Sequence, residues 1–135
     1  MRKFIIGALI AFAGLAGLAA PASAAAAGPQ SVQGCPGTKS QNNDGITVFV
    51  YFKEVTGSCV VSQVMASNMS GGSMYGHFYV WGPDGYATNS PTKTWGYTEG
   101  FITNPNYVAR SGQLWCGKFF DGNNNPVTRN VCVTI

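Results

Sequence analysis

Tyr75, His77, Tyr79 and Trp81 alternate with Met74, Gly76, Phe78 and Val80. Side chains two apart share one face of a strand, so the first four form a row. Tyr86 returns toward that row across the turn Gly82-Pro83-Asp84-Gly85. Aromatic side chains in such a row stack on the C–H faces of sugar rings, while phenol and imidazole tips make hydrogen bonds. The competing reading makes the row half of the interior. Met74, Gly76, Phe78 and Val80 have no polar handle and compete better for a core. That turns Tyr75, His77, Tyr79 and Trp81, with Tyr86, outward as candidate ligand-binding residues.

Other chemistry has little to work with. His77 is the single histidine. A general base needs a carboxylate or nucleophile in reach, and the sequence places none beside it. Asp44, Asp84 and Asp121 each precede glycine, as tight turns require. Glu54 falls in a turn and Glu99 in a loop. Asp121-x-Asn123-x-Asn125 imitates the start of a calcium loop, but Pro126 stands where the glycine belongs and Cys132 where the closing glutamate belongs. No nucleophile elbow, zinc-helix, phosphate-loop or dinucleotide motif occurs. The expectation is a protein with no catalytic residues, no metal and no cofactor. A small secreted hydrolase is the less favoured reading, behind both binding roles, and it needs two carboxyl groups within about 5 to 10 Å in one cleft. Trp95, Tyr97, Phe101 and Tyr107 make a second aromatic set, suited either to an interface or to capping the core edge.

The four cysteines, Cys35, Cys59, Cys116 and Cys132, are spaced by 24, 57 and 16 positions. Zinc wants close pairs, so an even count at these spacings reads as two disulfides in an exported domain. Gln113 to Phe120 and Pro126 to Ile135 are strand-like runs about a cluster of turn formers. In an antiparallel hairpin centred on Asn124, facing positions sum to 248, as 116 and 132 do. This predicts Cys116–Cys132 and leaves Cys35–Cys59. Each closes a loop worth roughly 3 kcal/mol in chain entropy. The same alternation places Trp115, Phe119, Val131, Val133 and Ile135 on the core face. It puts the Cys116–Cys132 bridge on the outer face beside Lys118.

Residues 1–24 read as a cleaved signal peptide: Arg2 and Lys3, an uncharged run from Phe4 to Ala20, then Ala22-Ser23-Ala24. The run is short for a membrane anchor. Removing 24 of the 135 residues leaves 111, one domain's length. Six basic residues then face five acidic ones, a net charge of +1, and no two basic residues are adjacent. That excludes a phosphate-tracking stripe, and with it nucleic acid as a partner. The Ala- and Gly-rich leader has a bacterial style, in which the tripeptide Asn68-Met69-Ser70 is mute as a glycosylation acceptor.

The elements that must carry these residues are strands. Ile46 to Phe52, Ser58 to Ala66, Met74 to Trp81, Tyr86 to Asn89, Thr94 to Tyr97 and the broken run Phe101 to Ala109 precede the final hairpin. No helical periodicity follows the leader. Seven to nine strands with regular turns predict an all-β, two-sheet antiparallel β-sandwich stapled by two disulfides. An immunoglobulin-like topology and a small barrel are its variants. Residues 25–44 read as a flexible lead-in tied by Cys35, and 45–135 as the single sandwich domain. The function expected is that of a secreted, extracellular, non-catalytic binding protein. Its partner would be a cell-surface polysaccharide, another secreted protein or a small ligand, with no membrane attachment after cleavage. The alternative is a protein-directed effector or inhibitor acting through an extended loop from Asn89 to Gly100.

Overall fold

A computed structural model describes residues 34–135; the expected leader and its cut after Ala24 lie outside them. The described chain is all-β in two antiparallel sheets. Sheet one is ordered β1 (Lys39–Asn43), β2 (Ile46–Val55) and β3 (Ser58–Asn68), with the short β7 (Gly100–Thr103) and β8 (Tyr107–Val108) both on the far edge of β3. Sheet two is ordered β10 (Val131–Thr134), β9 (Leu114–Asp121) and β4 (Met74–Trp81), with β5 (Ala87–Asn89) and β6 (Lys93–Trp95) both on the far edge of β4. A single 3₁₀ turn, Pro83–Gly85, joins β4 to β5.

The core lies between the sheets. Ile46, Val48 and Val50 enter it from β2, and Phe78 and Val80 from β4. Trp115 and Phe119 come from β9, and Val131 and Val133 from β10. Phe78 is central: its ring meets Phe119 edge-on at 4.9 Å and Trp95 edge-on at 5.1 Å. The expected inward set of the last hairpin is therefore the buried set. On β3 strict alternation would turn half the apolar residues outward. A bulge at Ser62, where Tyr51 pairs with Gln63 but Phe52 pairs with Val61, shifts the phase by one. Val64 and Ala66 above it and Val61 and Cys59 below it then all face inward and are buried.

Gly76 is required where it stands. Its φ is +153°, and a Cβ there would lie 1.9 Å from the carbonyl oxygen of Phe120 on the neighbouring strand. Its own carbonyl accepts the indole N–H of Trp95 at 3.1 Å.

Both disulfides form as expected, Cys35–Cys59 with Cα atoms 5.0 Å apart and Cys116–Cys132 with Cα atoms 4.0 Å apart. Neither joins one sheet to the other, unlike the bridge of immunoglobulin domains: Cys116 and Cys132 are paired neighbours within sheet two, and Cys35 precedes β1. The register of the last hairpin is the predicted one, but its turn is not. Asp121 N–H donates to the carbonyl of Asn125, which centres the turn on Asn123. The carbonyl of Phe119 then accepts from both Val127 and Thr128, while Thr128 Oγ1 accepts the Phe119 N–H at 3.0 Å. This irregular stretch absorbs the difference and brings Cys132 opposite Cys116.

Residues 25–44 are not wholly a lead-in. Lys39–Asn43 form β1, because Asp44 and Gly45, both at positive φ, make a two-residue hairpin that pairs Asn43 with Ile46. The sheets close on one side through this strand. Lys39 Nζ donates to the carbonyl of Thr134 on β10 at 3.1 Å. At the hairpin tip, Arg129 grips Asp44 with Nε–Oδ2 at 2.8 Å and a terminal nitrogen on Oδ1 at 2.9 Å, and its backbone N–H adds a third bond at 2.9 Å. The Arg129 side-chain hydrogen bonds, then its backbone N–H, hold the Asp44 carboxyl at a pKa of about 2, below the ordinary 3.8.

A depressed carboxyl stabilises the fold above its unfolded pKa and loses that effect as pH falls through 3.8 toward 2. The thermal midpoint of the protein should therefore drop across this acid window. Asp44→Asn keeps a residue tolerant of positive φ but removes the charge. It should melt lower than the parent at neutral pH, with the gap closing below about pH 2. Calorimetry of the two proteins across pH checks this; a gap that does not change with pH refutes it.

Candidate functional site

The outer face of sheet two is built by the alternation of β4. With Phe78 and Val80 fixed in the core, Tyr75, His77, Tyr79 and Trp81 must project to the other side. They do so as one row, about 20 Å long at the rise of an antiparallel strand. Tyr75 is 64 % exposed and the other three are half-buried by one another and by β9. Tyr79 and Trp81 stack with centroids 5.2 Å apart and planes 23° apart. His77 lies flat on Phe120 at 5.4 Å and 9°. Phe120 in turn meets Tyr79 edge-on at 6.5 Å, and Lys118 Nζ stands 5.4 Å over the Phe120 ring.

The pairing of β4 with β9 explains these contacts, because it sets Phe120 opposite His77, Lys118 opposite Tyr79 and Cys116 opposite Trp81. The Cys116–Cys132 bridge thus occupies the outer face, as expected, although Cys116 itself is buried. At the other end of the row, Tyr75 lies over Gly122. A Cβ at that glycine would meet the ring at 2.5 Å, so the β9–β10 turn and Tyr75 fit only with glycine there. Phe120 and Lys118 belong to this surface but escape a motif search. Their outward phase is readable in the last hairpin, whereas the partnership of β9 with β4 is not.

Tyr86 is not part of the row. Ala87, not Tyr86, pairs with Trp81. The 3₁₀ turn sends Tyr86 to the core edge, where it meets Trp115 at 5.4 Å and Tyr107 at 6.1 Å and its hydroxyl bonds that of Thr103. The second aromatic set also divides. Trp95 is buried, Phe101 and Tyr107 pack against the core, and Tyr97 alone stands out, 56 % exposed.

Tyr97 sits on a pinned turn rather than an extended loop. The Asn68 side chain is fully buried and donates to the carbonyls of Gly72, Trp95 and Gly96 at 2.7, 3.0 and 3.2 Å. Its Oδ1 accepts from the Ser70 N–H and hydroxyl. Glu99 pairs with Lys93 and also accepts the Gly96 N–H at 2.9 Å; the Lys93 bond, then that N–H, lowers its carboxyl pKa. Lys93 Nζ lies 4.2 Å over Trp95. Asn68 is thus an internal hub.

Three of the five carboxylates are held by structural partners. Asp44 binds Arg129 and Glu99 binds Lys93. Asp121 accepts from Asn123 and Asn125 N–H and from the Asn125 amide. The Asn125 bonds are the main reason its pKa is lowered; a small contribution comes from His77. Asp84 forms the 3₁₀ turn at positive φ, and Glu54 lies exposed near the end of β2. Among the described residues no group of three or more histidines, cysteines and carboxylates could hold a metal ion. No helix among them is long and apolar enough to cross a membrane. No family model matches this chain, and no curated protein or solved structure matches it either.

Asn68→Ala would strand three carbonyls and one N–H around a cavity. It should lower unfolding free energy by about 2–3 kcal/mol. Denaturant titration measures this, and a change within about 0.5 kcal/mol would show that water replaces the amide.

Proposed function

We propose that this protein is a secreted, non-catalytic binding protein that holds an extended surface polymer, a polysaccharide, against the aromatic row of sheet two. One observation carries the reading: Tyr75, His77, Tyr79 and Trp81 face outward together on the middle of a three-strand ladder whose other face is the core. Stacking partners set on such a strand are pre-organised, so binding loses little side-chain entropy. Phe120 widens the platform, and Lys118, His77 and the two tyrosine hydroxyls supply hydrogen bonds at its surface. The row is long and follows the strand, which suits a chain of sugar rings better than a small ligand seeking a concave site. Two disulfides in a domain of this size fit the oxidising compartment that the leader implies.

Tyr97 favours a second reading, a protein-directed role. It is a large exposed aromatic on a turn held by Asn68, Trp95 and the Lys93–Glu99 pair, the kind of rigid anchor that interfaces use.

Retention on insoluble polysaccharides separates the two. Trp81→Ala and Tyr79→Ala should each weaken retention about ten-fold, Tyr79→Phe should preserve it, and Tyr97→Ala should leave it unchanged. The variants' melting curves verify that they fold. Equal retention of the parent and Trp81→Ala on every polymer retained would overturn the polysaccharide reading. Loss of a protein partner on Tyr97→Ala would favour the other.

A further inference from the structure

The outer face of sheet one carries a second, unrelated feature. The bulge at Ser62 breaks the β2–β3 ladder and opens a shallow groove of about 410 Å³. Tyr51, Lys53, Ser62 and Gln63 line it from the two strands, and Asn104 and Asn106 from the β7–β8 turn. Phe49 lies beside Tyr51 with centroids 6.3 Å apart and planes 24° apart, so two rings form a step at its edge. Tyr51 contributes a flat apolar wall. Every other lining side chain is polar, three are primary amides, and none is a carboxylate.

We propose that this groove is a saccharide-binding site, taking one pyranose ring of a hydroxyl- or acetamido-bearing sugar. A primary amide both donates and accepts, as sugar hydroxyls and acetamido groups do, and three amides about one ring face supply that pattern. Tyr51 offers the stacking surface, Lys53 adds a donor, and the Ser62 hydroxyl, which donates to the Tyr51 carbonyl, adds an acceptor. The bonds the groove's lining side chains already make are all long, Gln63 Nε2 to Asn104 Oδ1 at 3.4 Å, Asn106 Nδ2 to the Asn104 carbonyl at 3.3 Å and the Ser62 hydroxyl to the Tyr51 carbonyl at 3.2 Å, so a ligand exchanges weak partners for its own. One lysine with no arginine is a poor phosphate or sulfate site. The polar lining is equally unsuited to an apolar ligand. Asn106 also borders a neighbouring groove of about 270 Å³ that includes Tyr107, Arg110 and Gln113.

The site shares no residue with the row on sheet two, and the two lie on outer faces of opposite sheets. If the sheet-two reading also holds, one molecule bridges two polymer chains; the groove itself does not rest on that reading.

The test is an amide-resolved NMR titration of the intact domain with two probes, the β-1,4-linked hexasaccharides of glucose and of N-acetylglucosamine. Signals of Gln63, Asn104 and Asn106, side-chain amides included, should move with one or both probes, and the probe preferred identifies the sugar type. Tyr51→Ala and Asn104→Ala should each weaken those shifts about five- to ten-fold, with Tyr51→Phe within about two-fold of the parent. Spectral dispersion shows that each variant is folded. In Trp81→Ala the groove shifts should persist, so failure of the sheet-two reading is seen separately. Groove signals that stay still at millimolar sugar, or that move equally in both alanine variants, overturn the proposal.

Discussion

The ring of Phe78 decides the direction of everything around it. Held edge-on between Phe119 and Trp95, it has no solvent contact. Burying such a side chain stabilises the fold by about 1.5–3 kcal/mol. Because β4 alternates without interruption, that commitment settles the other residues of the strand. A one-residue slip would exchange Phe78 and Val80 for His77 and Tyr79 in the core. Gly76 sharpens the constraint, since only a residue without a Cβ lets β4 approach the Phe120 carbonyl this closely. The outward row is thus a consequence of core packing. Its rigidity has the same source.

The chain has few charges, and three of them tie one sheet to the other. Arg129 and Asp44 tie the tip of the β1–β2 hairpin in sheet one to the approach to β10 in sheet two, and Lys39 caps a carbonyl on β10. The disulfides act differently. Each lies within one sheet or between a sheet and its leading segment, so neither crosslinks the layers. Beyond those polar ties, the layers are joined by apolar contact across the core, with Gly117 of β9 against the Val48 side chain. The bridges limit the unfolded chain, and the packing selects the arrangement.

Local chemistry is what the sequence makes legible. Strand alternation at Met74–Trp81, the Asp-Gly turns and the inward set Trp115, Phe119, Val131 and Val133 all depend on neighbours in the chain. They are found where expected. The Cys116–Cys132 register is a subtler case: two offsets cancel, an earlier turn and an irregular stretch at residues 127–130. The pairing is right although the turn assumed for it is displaced by one residue. What periodicity does not contain is which distant strands meet. Polar Lys39–Asn43 has no apolar alternation, yet it is a strand because a hairpin turn delivers it to β2. Tyr86 has the composition of a platform residue, and one 3₁₀ turn diverts it to Trp115. Phe120 joins the row only through the long-range pairing of β9 with β4.

The two outer faces also differ in how they came to be accessible. On sheet two, unbroken alternation exposes one full register of β4, and the result is a flat aromatic surface. On sheet one, the apolar pattern of β3 runs out of phase, and the bulge that repairs it leaves Ser62 and Gln63 displaced beside Tyr51. The groove is a by-product of keeping Val61 and Cys59 inside. Shape on this face therefore depends on core burial as much as the row on the other face does. Changes to Val61 or Val64 that relax the bulge would alter the groove without touching any residue that lines it.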